Sequence, residues 1–502
     1  MNLAAIRDEK EMKVGERVLY IFRDRKITNF ELMRSSRKLA SALQGLGVRR
    51  GGRVIVQMPN HPAVIESFMA VWRLGAVIVP INYLMPEEEI SYIYRDSGAC
   101  VVISVPEYLP KIDRCRAAAP DLQTVLLVGD VVPKGRLMYR ALVDAAPELM
   151  EVAETTDDDN AALIYTAGTT GSSKGVIHTH GSLYMNSKMS FDSVAIPDNT
   201  ISVSVLPLCH SFGIANMNTS LFRNMTVVLL PSFNIDDIFS SIEKYRAHSM
   251  SGVPTMYSFM LVYPEPKKYD LSSMRLWISG GGPLALETWQ RFKDVYGFEI
   301  TEGWGLTEAG ANNTLNPIGE GKKPGSIGIP MKGSDMAIMD DGGRCLLTGA
   351  EGEVVIRGPH VMKGYWNKPG ETAEALRDGW LHTGDMGLVD EDGFYWITGR
   401  KKDLIIKGGE NISPRKIEEV LYRHPCVSEA AVVGKEDPVY GEEIGAFVVL
   451  KPGETATAGE IIDFCRGELT NFLLPKEVVF LDKFPRSLVG KILKKELRRM
   501  NK

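Results

Sequence analysis

Two alternating hydrophobic periods constrain the fold of this chain more than any other feature. Thr28 and Glu31 form a capping box ahead of a helical pattern (Leu32, Leu39, Leu43, Leu46), and Gly45 and Gly47 mark its end. Residues 54–56 read as a short strand, 63–74 as a helix, and 77–79 and 101–104 as further strands. The alternation returns later: 226–230 is an apolar strand, and Ile235, Ile238, Phe239 and Ile242 mark one face of a helix. Strands alternating with helices predict largely parallel sheets covered on both faces.

The pattern changes from about Gly325. Turn signals crowd together (Asp340 to Gly343, Gly349, Gly352, Gly358, Asp378-Gly379, Asp392-Gly393), with short β segments at 353–356 and 394–397 between them. This predicts a small β-rich subdomain. A charged break, Arg400-Lys401-Lys402-Asp403, precedes helices at 414–421 and 461–469 and strands at 430–433 and 446–450. That tail is long enough to fold by itself. The expected class is therefore α/β, with a large N-terminal domain (1–399) of mostly parallel sheets flanked by helices plus a small β-rich subdomain. A small mobile α+β domain (400–502) follows.

At 502 residues the chain exceeds what one core supports. A hydrophobic share of 44%, a charged share of 24% and a net charge of -5 fit a soluble globular protein and argue against nucleic acid as partner. The six cysteines (Cys100, Cys115, Cys209, Cys345, Cys426, Cys465) have no close spacing, which argues against a zinc site or a disulfide framework and predicts a cytoplasmic location. No basic-then-apolar leader opens the chain, and the apolar run at 68–81 is broken by Arg73 and Pro80. A transmembrane segment is not expected; peripheral contact with a bilayer stays open.

The chemistry begins at 165–175, directly after the apolar run 161–164. Thr166, Gly168, Thr169, Thr170, Gly171, Ser172, Ser173 and Lys174, followed by Gly175, combine backbone freedom with hydroxyl, amide and ammonium donors suited to phosphate oxygens. This is not the P-loop pattern, in which Ser or Thr follows the lysine. On its own, such a stretch also describes a flexible connection.

Further motifs follow in order: Leu206 to Gly213 (Leu-Pro-Leu-Cys-His-Ser-Phe-Gly), Gly252 to Thr255, Ser279 to Leu284, and Glu302 to Glu308 (Glu-Gly-Trp-Gly-Leu-Thr-Glu). Then come Gly352-Glu353, Gly364-Tyr365, Thr383-Gly384-Asp385, Gly399 to Lys402, Gly408 to Asn411 and Pro485 to Lys491. Together they make the chain resemble, over nearly its whole length, the ANL superfamily of adenylate-forming enzymes, in the acyl-CoA synthetase branch. The resemblance implies a two-step reaction. A carboxylate attacks the α-phosphate of Mg-ATP to give acyl-AMP and pyrophosphate, and the thiol of coenzyme A then displaces AMP.

The resemblance also implies roles. The 166–174 loop holds the β- and γ-phosphates. Glu308 is the Mg2+ ligand, and Thr307 reaches the α-phosphate. Gly281, Gly282 and Pro283 let the adenine lie against the backbone, with Trp304 stacked on it where the family usually has tyrosine. Asp385 takes the ribose hydroxyls and Arg400 assists. Lys491 stabilises the adenylation transition state. Lys402 is the hinge, about which Lys491 leaves the site and Gly408 and Gly409 enter as a wall of the pantetheine tunnel. His210 lies near the acid and the thioester tunnel. Outside such a motif set, Thr307 and Glu308 would be an ordinary helix cap, Trp304 core, and Lys491 part of a solvated basic face. His178 and His180 would share a strand face as structural residues.

The resulting expectation is an acid–CoA ligase acting on a medium- or long-chain fatty acid. The alternatives are an aryl-acid ligase for benzoate- or cinnamate-like acids, a stand-alone ligase loading a carrier protein, and a non-catalytic nucleotide- or acyl-binding protein. The His210 loop offers no carboxylate to pair a substrate ammonium, which disfavours amino acids. No carrier domain follows Lys502, which favours a free thiol as acceptor. Phe212, Met256, Tyr257, Gly280 and Trp304 are expected to line the acid pocket.

Overall fold

The capping box at Thr28 is formed: its hydroxyl accepts from the Glu31 amide at 3.1 Å, and the Glu31 carboxylate accepts from the Thr28 amide at 3.0 Å. It starts the helix Asn29–Gly45, whose Leu32, Leu39 and Leu43 are buried. The helix Pro62–Arg73 packs against it and is buried along almost its whole length; its Trp72 donates to the Ala161 carbonyl at 3.0 Å. The computed structural model describes residues 1–166, 173–194, 200–486 and 492–500.

Two large sheets dominate. One has eight strands, in which Val77–Pro80, Arg53–Gln57, Val101–Ser104 and Thr124–Leu127 run parallel. The other has nine strands. Its parallel centre runs Thr226–Leu229, Ile201–Ser204, Ser249–Gly252, Leu276–Ser279 and Ile300–Trp304. Helices cover these sheets, as the alternation predicts. The region after Gly325 builds a five-stranded antiparallel sheet around Gly352–Arg357 and Trp380–Val389, the predicted β-rich subdomain.

Residues 405–480 form a separate mixed sheet whose long ribbon pairs Val427–Asp437 with Gly441–Leu450; the helices Pro414–Tyr422 and Ala458–Arg466 accompany it. Its apolar core of Ile405, Ile417, Val432, Ile444 and Ile461 is distinct from those of the large sheets. Both ribbon strands outrun the sequence-predicted segments, because polar residues such as Lys435 and Glu442 continue the ladder beyond the apolar stretch. The helix expected over 461–469 instead begins at Ala458, where Thr457 and Glu460 form another capping box. His178 and His180 do not share a strand face: the strand Lys174–Thr179 ends between them, and His180 opens the helix His180–Ser193.

Candidate active site

Four of the sequence motifs fall at the carboxyl ends of neighbouring parallel strands. Residues 206–213 follow Ile201–Ser204, 252–255 follow Ser249–Gly252, 279–284 follow Leu276–Ser279, and 302–308 follow Ile300–Trp304. In open α/β sheets this edge is where ligands bind, because the loops and helix N-termini converge there. Gly213 is obligatory at its position. It lies in the first turn of the helix Ser211–Arg223, where a Cβ would sit 2.1 Å from the Pro207 carbonyl oxygen.

Trp304, Asp385 and Arg400 meet on this edge. Asp385 and Arg400 are opposite each other in the ladder between Trp380–Val389 and Tyr395–Arg400. The Arg400 Nε lies 2.6 Å from Asp385 Oδ1, and the Trp304 indole N–H donates to Oδ2 at 3.1 Å. Asp385 is almost fully buried. A carboxylate has about four lone-pair positions, so each oxygen retains capacity for another donor. The hydroxyls of a ribose are donors of that kind.

Thr307 and Glu308 form a 3-10 turn after the Trp304 strand. The Thr307 hydroxyl is 3.0 Å from that of Ser211, and its carbonyl is 2.7 Å from His178 Nε2. A carbonyl only accepts, so Nε2 carries the hydrogen. Burial holds this imidazole down at about 4, so the ring is neutral. Glu308 Oε1 accepts from the Tyr365 hydroxyl at 2.9 Å. The Lys174 ammonium stands 4.9 Å from the Tyr365 ring centre, so Tyr365 links Lys174 to the acidic turn. Burial, with Glu308 adding to it, raises the Tyr365 phenol above its usual range and keeps it a donor.

Thr166 and Lys174, on either side of residues 167–172, have their Cα atoms paired between the strands Asn160–Thr166 and Lys174–Thr179. The buried Ser173 hydroxyl donates to the Glu89 carboxylate. Gly168, Thr169, Thr170, Gly171, Ser172 and Lys491 lie outside the described residues. Gly281, Gly282 and Pro283 form a half-buried to exposed loop beside Val253 and Pro254. His210 caps the helix Ser211–Arg223, its Nδ1 accepting from the Phe212 amide at 3.3 Å.

Lys402 is exposed in the turn Lys401–Asp403. Gly408 and Gly409 form the two-residue tip of a hairpin between Ile405–Lys407 and Glu410–Ile412, with φ of +58° and +87°. Two successive positive φ values define a type I′ turn, so local geometry by itself calls for both glycines. A Cβ on Gly408 would meet Tyr440, and one on Gly409 would meet nothing, so the structure does not bring this pair to the Trp304–Asp385 cluster.

Of the expected pocket residues, Tyr257 is core: it is fully buried against Trp277 and Phe292, and its hydroxyl donates to the Ile278 carbonyl at 2.6 Å. The Phe212 ring rests on Gly280, 3.3 Å from where a Cβ would stand. A cavity of about 60 Å³ lies between the helix Ser211–Arg223 and the sheet, with Leu206, Leu208 and Asn216 among its walls. Its floor carries Ser202 and Ser204 on one strand and Ser249 and Ser251 on the next, paired in register. The sequence shows them only as alternate serines in Ile-Ser-Val-Ser and Ser-Met-Ser, a period-2 signal lost among apolar neighbours.

An acidic turn after the Trp304 strand and a buried carboxylate reaching it from the β-rich subdomain are features that an adenylate-forming enzyme requires. A family model described as AMP-binding enzyme matches residues 8–366, and one described as AMP-binding enzyme C-terminal domain matches 416–491. The chain belongs to the AMP-binding enzyme family, in the acid–thiol ligase branch of the ANL superfamily, and is an AMP-forming ligase. It is 35% identical to a long-chain-fatty-acid–CoA ligase of Bacillus subtilis over 99% of this chain and 94% of that one. It is 37% identical to a feruloyl-CoA synthase of an Amycolatopsis species over 94% of each chain. The ATP-bound crystal structure of MatB from Rhodopseudomonas palustris superposes with a TM-score of 0.93, at 32% identity over 99% of both chains. Among the described residues no helix is long and apolar enough to cross a membrane.

Proposed function

We propose that this ligase activates an aryl or arylalkyl acid with ATP and transfers it to coenzyme A. The observation that carries the substrate class is the size and floor of the cavity under the helix Ser211–Arg223. One water needs roughly 10–15 Å³ on the same measure, so about 60 Å³ is room for a few waters and falls far short of a long alkyl chain. Such a chain gains about 0.8 kcal/mol per buried CH₂ on apolar walls, which Met217, Leu229 and Ile278 supply here, but the four serines of the floor offer it hydroxyls instead. The feruloyl-CoA synthase relative supports this choice. The Bacillus relative supports a medium- or long-chain fatty acid as the second reading.

In this proposal Asp385 accepts from the ribose hydroxyls, Trp304 and the 281–283 loop flank the base, and Arg400 balances the Asp385 charge. The 166–174 loop grips the leaving pyrophosphate, and Lys491 and Thr307 stabilise charge on the α-phosphate as the acid oxygen attacks. His210 borders the acid. The donor set fits magnesium, which binds through one or two carboxylates plus substrate phosphates: Glu308 keeps Oε2 free of Tyr365. When bound, the ion would neutralise phosphate charge. Residues 400–502, with their own core, would turn about Lys402 for the thioester step, bringing Gly408 and Gly409 to the thiol path.

The test is pyrophosphate and AMP release across fatty, aryl and amino acids, with and without coenzyme A. Pyrophosphate release with aryl acids, and AMP release only when coenzyme A is added, is the expected result. Preference for decanoate or longer acids would overturn the aryl assignment. Pyrophosphate release without any effect of coenzyme A would point to a carrier protein as acceptor, and silence would leave a binding protein.

A further inference from the structure

Strands of a parallel sheet buried on both faces are normally near-continuous runs of Val, Ile and Leu. The strands Ile201–Ser204 and Ser249–Gly252 break that rule on one face only. Val203 and Met250 join the apolar core on the far side, Val203 also bordering the cavity, while Ser202, Ser204, Ser249 and Ser251 line it. Their pairing, Ser202 opposite Ser249 and Ser204 opposite Ser251, puts four hydroxyls in a compact square. The flanking strands return to apolar residues, Leu229 on one side and Ile278 on the other.

Part of this polarity is satisfied internally. The Ser202 hydroxyl donates to the Ser249 carbonyl at 3.2 Å, and the Ser251 hydroxyl reaches Asn216 Oδ1 at 3.4 Å. Two hydroxyls are not satisfied. Tyr20, on the strand Val18–Phe22, is 2% exposed and lines the cavity, and its phenol oxygen has no hydrogen-bond partner. Thr219, on the covering helix, also lines the cavity, and its buried Oγ1 has none either. A buried hydroxyl left without a partner is costly, so each lone instance requires an explanation.

The positions relative to the acid site give one. Asn216 is one helical turn beyond Phe212, and Ile278 and Ser251 precede Gly280 and Gly252 on their strands. The cavity, which Leu206 and Leu208 of the 206–213 motif also line, therefore lies behind the loops that carry the motifs, and Tyr20 is contributed by a strand beyond its floor. Tyr20 and Thr219 are thus placed to meet the end of a substrate remote from its carboxylate.

We infer that the cavity selects acids bearing an oxygen function (hydroxyl, alkoxyl or keto) at the end remote from the carboxylate, with Tyr20 and Thr219 as specificity-determining partners of that oxygen. This rests on the ligase reading above and adds a rule that reading does not contain. A hydrogen-bonding pocket discriminates strongly against the analogue that lacks the polar group, because that analogue leaves the pocket's own groups unpaired.

The experiment measures kcat/KM for matched pairs: cinnamate against 4-hydroxycinnamate, benzoate against 4-hydroxybenzoate, and decanoate against 10-hydroxydecanoate. The oxygenated member is expected to be favoured by about tenfold or more in every pair that turns over. Tyr20→Phe and Thr219→Val should each shrink that ratio toward one. A merely structural Tyr20 would move stability and not the ratio. Tyr20→Phe removes an unpartnered hydroxyl, so the thermal midpoint of the acid-free protein should hold or rise, and the same oxygenated acid should protect it less. Equal kcat/KM within the pairs, or a ratio unmoved by either variant, overturns the inference and leaves the ligase reading intact. Absence of pyrophosphate release with all six acids overturns both.

Discussion

Glu302 precedes Trp304 by two residues on the strand Ile300–Trp304 and is 5% exposed. Burial pushes its carboxyl up to about 8; the Arg415 guanidinium opposes the rise and the Glu419 carboxylate adds to it. Both neighbours belong to the helix Pro414–Tyr422, so this carboxyl faces the C-terminal segment. A carboxyl whose pKa is higher folded than unfolded binds a proton on folding. Its stability cost is absent below the unfolded value near 4.5, grows as pH rises, and is complete above about 8. At ~1.4 kcal/mol per pH unit, the cost is on the order of 1 kcal/mol at pH 5.5 and at most ~5 kcal/mol at pH 9. Glu302→Gln keeps the shape and removes the titration. The variant should therefore gain on the wild type by roughly 3 kcal/mol between these pH values, which for a domain of a few hundred residues is several degrees of thermal midpoint. The assay is calorimetric scanning of both proteins at pH 5.5, 7 and 9. Parallel profiles would refute the argument and show Glu302 to be charged at low cost.

Lys491→Ala should abolish acid-dependent pyrophosphate release while leaving thioester formation from supplied acyl-AMP largely intact; equal loss of both half-reactions would contradict a two-pose cycle. Gly409→Leu should slow the coenzyme A step and spare pyrophosphate release, with Gly409→Ala separating tunnel blockage from the strain of a side chain at φ +87°. Asp385→Ala removes the acceptor of both Arg400 and Trp304; with charged hydrogen bonds at ~1.5–3 kcal/mol, KM for ATP should rise roughly 10- to 100-fold, and Trp304→Phe should raise it less. An unchanged ATP dependence of Asp385→Ala would remove that residue from the nucleotide site.

Local signals carried far. The capping box at Thr28, the strand and helix periods and the turn-rich stretch after Gly325 each specify a neighbourhood of a few residues, and the structure forms all of them. The motifs marked the sheet edge because glycine-rich loops follow strands. Partnerships between distant residues were not legible. Trp304 meets Asp385 across 81 positions and His178 meets Thr307 across 129, and no local period encodes either contact. Tyr365 appeared as part of a motif without its role, since its partners Glu308 and Lys174 come from two other segments. Tyr257 was misjudged as pocket because an aromatic beside a motif looks the same whether it faces ligand or core; its ring contacts decide for core. The serine floor escaped notice because each pair of serines acquires meaning only when the two strands lie side by side.

The Asp385–Arg400 pair has a mechanical consequence. The two residues face each other across one rung of a ladder, Arg400 is the last residue of its strand, and Lys402 is two positions beyond. A clasp at the final rung transmits pull in both directions. If the chain turns at 402 as proposed, torsion there would strain the grip on the carboxylate, and a nucleotide whose ribose hydroxyls share that carboxylate would load the same rung. Occupancy and rotation would then be geared together, each felt at the other's position through a single rung.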